Sequence, residues 1–160
     1  MKKVILMEAL AVLVLAGIMV LLLYRKTPAD VPLQDVNLAL TENYALTGME
    51  PAGDMRMKRA FSLNASDFTE YLYYAPDNTM SVNEILIIKC PDESQASNIR
   101  SAFESRLQVQ KKNFDGYGTD QTALLEHARY GSDGLYSWFM VGPEADSWLK
   151  TAKAVWEVQK

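Results

Sequence analysis

One cysteine and one histidine in 160 residues leave little of the side-chain chemistry on which enzymes and metal sites are built. Cys90 alone excludes an internal disulfide. It closes an apolar run directly before Pro91, a setting for a buried small hydrophobe rather than a reactive thiolate. A thiol nucleophile would need His127 as its base, since there is no other histidine. A transition-metal site would have to draw most ligands from carboxylates, so no metal and no cofactor is expected. The chain has no G-x-S-x-G, no phosphate-binding glycine loop and no H-E-x-x-H. Acidic and amide residues at Asp77-Asn78 and from Asp115 to Asp120 are too sparse for a calcium loop.

The chain does have one long hydrophobic run. Val4 to Tyr24 is broken by a single charge, Glu8, and flanked by Lys2-Lys3 and Arg25-Lys26. As a helix, a run of about 21 residues spans ~31 Å, the thickness of a bilayer core. Leu, Ile and Val dominate it, and their insertion free energy of roughly −6 kcal/mol exceeds the cost of Glu8, ~3 kcal/mol at most. Glu8 either pairs with another subunit within the bilayer or reaches back to the headgroups beside Lys2 and Lys3. The apolar core is too long for a cleaved signal peptide, although Thr27-Pro28-Ala29 offers a weak cleavage site. No cysteine follows the run, which excludes a lipid-modified N-terminal Cys. Residues 1–26 therefore read as an uncleaved signal anchor and 27–32 as a short linker kept extended by Pro28 and Pro32. The short basic N-terminus favours an orientation with residues 33–160 on the extracytoplasmic side of the cell membrane.

Residues 33–160 suffice for one domain and not two. Lys2, Lys3, Arg25, Lys26 and Glu8 together carry +3 of a chain total of −4, which leaves the domain at −7. That charge argues against nucleic acid and anionic headgroups as partners.

Periodicity predicts the elements. Leu33 to Leu46 reads as a helix with Leu33, Val36, Leu40 and Tyr44 near one face. Asp54 can cap a short helix that carries Met55, Met57 and Phe61 and leaves Arg56, Lys58 and Arg59 solvated. Phe68 to Tyr74 and Glu84 to Cys90 read as strands joined through the turn residues Pro76-Asp77-Asn78. Ile85 to Ile88 is apolar on both faces and so predicts a central strand. Asp92, with Gln95 three residues on, starts a helix whose inner face is Ala96, Ile99, Phe103, Leu107, Gln110 and Phe114; Gly116-Tyr117-Gly118 stops it.

The pattern then repeats. Ala123 to Tyr130 reads as a strand, Leu124-Leu125-Glu126 also suiting a helical turn. Gly131 to Gly134 reads as a hairpin loop, Leu135 to Val141 as a strand, and Ala145 to Trp156 as an amphipathic helix. The expected fold class is α+β: an N-terminal transmembrane helix, then helices and two hairpin–helix units that form a four-stranded antiparallel sheet covered by helices on one face.

Glu84 to Lys89, Asp92 to Ala96, and Arg106 through Gln110-Lys111-Lys112-Asn113-Phe114 together resemble DUF4358, a bacterial envelope family. The likeness extends to Tyr117, Gln121, Leu124-Leu125-Glu126 and the strand after Gly134, and spans roughly Leu33 to Val158. It implies a membrane or lipoprotein signal followed by one small extracytoplasmic domain. It implies no activity.

Two surfaces stand out as candidate binding sites. Arg106, Gln110 and Phe114 are spaced by four on one helix face, with Tyr117 and Gln121 in and beyond the following loop. A ring beside an Arg and two amides suits a carbohydrate or peptide; the alternative is that Phe114 and Tyr117 plug the end of the core while Gln110 and Gln121 fix the loop backbone. Tyr71 and Tyr73 form the second surface, if they lie on an uncovered sheet face. The expected function is a membrane-tethered binding or assembly domain of a bacterial envelope, without catalytic activity. Its partners would be the membrane, through residues 4–24, and an envelope protein or glycan. The alternatives are an envelope-polymer hydrolase with paired carboxylates and a single-pass subunit of a membrane complex.

Overall fold

The computed structural model describes residues 13–17, 30–116 and 118–157. Residues 13–17 are helical and exposed. The rest of the expected anchor, with Glu8 and linker residues 27–29, lies outside the described residues. Among the described residues no helix is long and apolar enough to cross a membrane.

The elements in chain order are α1 (Leu33–Asn43), β1 (Met49–Pro51), α2 (Asp54–Phe61), a 3-10 turn (Ala65–Asp67), β2 (Glu70–Pro76), β3 (Glu84–Lys89), α3 (Glu93–Asn98), α4 (Arg100–Phe114), α5 (Thr119–Glu126), β4 (Arg129–Asp133), β5 (Tyr136–Val141) and α6 (Ala145–Glu157). The sheet is antiparallel throughout, in the order β1-β2-β3-β5-β4. The fold is thus α+β, but with five strands rather than four, because the short segment Met49–Pro51 pairs with Tyr74–Pro76.

Helices cover both faces of the sheet, not one. The reason lies in the two central strands. All six residues of β3 and all six of β5 are buried. Leu86, Ile88, Phe139 and Val141 pack under Met57, Phe61, Phe103 and Leu107 of α2 and α4. On the opposite face Ile85, Ile87, Trp138 and Met140 pack under α1 and α6, against Val36, Leu40, Trp148 and Trp156. A single helical layer would leave one of these apolar faces in water, at ~1.5–3 kcal/mol per large side chain. The Tyr136 and Trp156 rings stack with centroids 4.5 Å apart in the second layer.

Asp92 caps α3 as the sequence suggests, its carboxylate accepting the Gln95 N–H at 2.8 Å. The Gln95 amide does not return the bond; it donates to the Asp67 carbonyl at 2.9 Å. Asp54 is the first residue of α2 rather than its cap, which is Gly53.

Of the predicted strand Ala123–Tyr130, the first half instead finishes α5, with strand structure starting at Arg129. Leu125 is buried and Leu124 packs against the same core, so a helical turn serves these leucines. The expected hairpin loop Gly131–Gly134 shortens to Gly134-Leu135, with Gly134 at φ +54°. Gly131 belongs to β4 because the Trp138 ring lies against it: a Cβ there would meet Trp138 Cζ2 at 3.1 Å.

Asp30 to Pro32 is docked on the domain. Tyr136 Oη accepts the Val31 N–H and donates to the Val31 carbonyl, both at 2.7 Å. Lys89 Nζ, nearly buried, reaches Asp30 Oδ1 at 2.6 Å, Glu70 Oε1 at 3.0 Å and the Val31 carbonyl at 3.1 Å.

Candidate functional site

The charged residue that precedes the apolar run Ile85 to Ile88 organises the site. Glu84 opens β3, and the two-residue period of a strand puts it on the same face as Leu86 and Ile88, under α4. It is fully buried. A buried carboxylate needs partners, and here it has three. Arg106 donates from Nε to Oε2 at 3.0 Å and from Nη2 to Oε1 at 3.2 Å, a two-pronged pairing. Tyr73 Oη donates to Oε1 at 2.6 Å. Gln110 Nε2 donates to Oε2 at 3.2 Å.

Arg106 and Gln110 share a face of α4 because they are four residues apart. Tyr73 arrives from β2, whose register sets it beside Leu86. Burial and the neighbouring Glu84 charge hold the Tyr73 hydroxyl neutral, far above the usual phenol range. The Arg106 guanidinium also lies over the Phe61 ring, 5.7 Å from its centroid.

Above this network is a cleft of about 440 Å³. Arg56, Arg59 and Ala60 of α2, Arg106, Gln110, Asn113 and Phe114 of α4, Tyr73, and the residues Pro76 to Thr79 and Ser81 line it. Arg56 is not simply solvated: it pairs with Glu50 and donates to the Pro76 carbonyl. Arg59 is exposed and has no hydrogen-bond or ion-pair partner among the described residues. Gln110 Oε1 is buried without a partner.

The structure thus brings Arg106, Gln110 and Phe114 to one cleft, and Tyr73 with them. Phe114 is largely buried in the core beside Leu107. Gln121 stands apart in role, its Oε1 accepting the Val82 N–H at 2.9 Å and so fixing the loop before β3. Tyr117 lies outside the described residues. Tyr71 and Tyr73 do not form an open surface, since α2 covers their face: Tyr73 is buried, and Tyr71 donates to Asp54, a bond that pushes its pKa up to about 12. Cys90 is buried, and burial pushes its thiol up to about 11; no hydrogen bond joins it to His127. Among the described residues no group of three or more His, Cys, Asp or Glu side chains could hold a metal ion.

Sequence reasoning missed Glu84, Arg56 and Arg59. A signal for Glu84 was present: a strand apolar on both faces buries whatever stands in register with its apolar positions.

Residues 42–142 match the family model described as domain of unknown function (DUF4358). The chain belongs to the DUF4358 family. The match to DUF4358 runs from the end of α1 through β5, so it contains Glu84, Tyr73, Arg106, Gln110 and the whole cleft lining. It is narrower than the Leu33–Val158 likeness seen in the sequence, leaving out α6 and nearly all of α1. No curated protein and no solved structure matches the chain.

Proposed function

We propose that this DUF4358 chain is a membrane-tethered, extracytoplasmic binding domain without catalytic activity, and that its site is the cleft above Glu84. The observation that carries the reading is the arrangement of that cleft. A buried ion pair and two further hydrogen bonds fix its floor, while Arg59, Asn113 and Arg106 are presented at its wall. A preorganised floor with polar groups facing a cleft of ligand size is the usual form of a binding site.

Hydrolysis by paired carboxylates draws less support. Glu84 lies buried beneath the cleft with both oxygens engaged, and among the described residues Asp77 is the one acidic residue lining it. The tether rests on the apolar run Val4 to Tyr24, and the outward orientation on its flanking charges. The ligand would be an envelope protein or glycan.

A photo-crosslinking amino acid in place of Asn113, in intact cells, tests this reading. A discrete adduct from Asn113, with none from the same probe in place of Lys150 on α6, is the expected result. No adduct, or the same pattern from both positions, would contradict it.

A further inference from the structure

We propose that the cleft takes a phosphate group carried on a polyol. This rests on reading the cleft as a ligand site and adds the chemistry of its ligand.

Charge is the first argument. The domain carries −7, yet this cleft is lined by three arginines against Asp77. Guanidinium groups lining a recess in a negative surface offer an anion a local site, while the surrounding field repels extended anionic surfaces. A discrete group entering the cleft therefore fits better than a sheet of lipid headgroups.

The state of each arginine is the second argument. Arg106 gives Nε and Nη2 to Glu84, and Arg56 is engaged by Glu50 and Pro76. Their charges are thereby compensated and their side chains held. Arg59 lies one turn beyond Arg56 on α2 and makes no ion pair among the described residues. It is the cation left for a ligand, in a setting the other two have fixed. A guanidinium fork matches the oxygens of a phosphate, and several guanidiniums offer more donors than the two oxygens of a carboxylate can accept.

The rest of the lining supplies the third argument. Thr79, Ser81 and Asn113 are hydroxyl and amide groups at the same cleft, and the Asp77 carboxylate can accept from ligand hydroxyls. These groups suit a polyol attached to the phosphate. The volume, about 440 Å³, accommodates a ligand of that size.

The test is a titration of the full-length, nitrogen-15-labelled chain in uncharged detergent micelles, reading the arginine Nε–Hε signals. The probe is glycerol 3-phosphate, with glycerol and acetate as controls. Saturable shifts are expected with glycerol 3-phosphate, weakened by added salt and at least about tenfold weaker in Arg59→Gln, a loss of ~1.4 kcal/mol. Arg59 is exposed, so this variant should fold as the parent does. Equal response to acetate, or shifts unchanged in Arg59→Gln, would overturn the phosphate assignment. Glycerol binding in the cleft without any effect of the phosphate would overturn it too, yet leave the ligand-site reading standing. No response to any probe overturns it as well, and the Asn113 cross-link then decides separately whether the cleft binds anything.

Discussion

Arg106 approaches Glu84 with two nitrogens, at 3.0 and 3.2 Å, and thereby ties α4 to the head of the central strand β3. Glu84 is completely buried and Arg106 about one-fifth exposed. Removing one partner of such a pair strands the other charge. Arg106→Leu should therefore destabilise the domain by about 3–5 kcal/mol, seen as a lower urea midpoint. Arg106→Lys keeps the charge and loses the fork, so it should recover only part of this. A midpoint unchanged in Arg106→Leu would mean that Glu84 is satisfied without it.

Gly142 follows β5 where the chain turns under α6. A Cβ at that position would lie 2.4 Å from Trp148 Cη2 and 2.6 Å from Cζ3, closer than atoms can approach. The Trp148 ring is buried and has little room to withdraw. Gly142→Ala should cost about 1–3 kcal/mol and lower Tm. At Gly53, where a Cβ meets nothing within 4 Å, alanine should change Tm far less.

Alkaline pH should weaken the fold. Burial raises the Cys90 thiol to about 11 and also raises the Tyr136 hydroxyl. Burial lowers Lys89, but the hydrogen bonds it donates to Asp30 and Glu70 outweigh it, and the net shift is upward. All three protonate more readily in the folded than in the unfolded chain. Their stabilisation is complete below the unfolded values, ~8.5 for Cys and ~10 for Tyr and Lys, and is lost as pH climbs through the folded ones. Urea midpoints should thus fall from about pH 9 upward, with Cys90→Ala removing the earliest part of the fall. Midpoints that hold or rise to pH 10.5 would contradict this.

Tyr136 clamps Val31 through both its N–H and its carbonyl. Tyr136→Phe removes both bonds and keeps the ring stacked on Trp156. The Val31 amide should then exchange with solvent faster, while amides in β3 remain protected. Unchanged exchange at Val31 would mean that Lys89 and Glu70 suffice to hold the end of the linker.

The sequence carried much of this fold because its periodicities are clean. The run Ile85 to Ile88 marks a central strand, and the two-residue strand period separates Trp138 and Met140 from Phe139 and Val141, a split that the structure shows as two separate core layers. That same split implies helices on both faces, an implication the one-face reading overlooked. β1 was hidden because three residues have no readable period. α5 was misread because Leu124 and Leu125 satisfy strand and helix patterns alike.

The site was half legible. The spacing of Arg106, Gln110 and Phe114 marks one face of α4, and that face does meet the cleft. What they meet, Glu84 and Tyr73, depends on strand register, which no local pattern in α4 encodes. Arg56 and Arg59 look like solvated helix residues, and only the turn after β2 makes them the wall of a cleft.

The central proposal is that the apolar run Val4 to Tyr24 tethers an outward-facing binding domain to the membrane. Protease added to intact cells carrying a C-terminally tagged copy tests it most directly, with intact mass read in parallel. Loss of the tag from a full-length species is the predicted result. A full-length chain that stays protected until the cells are broken would place the domain on the inner face and contradict the account.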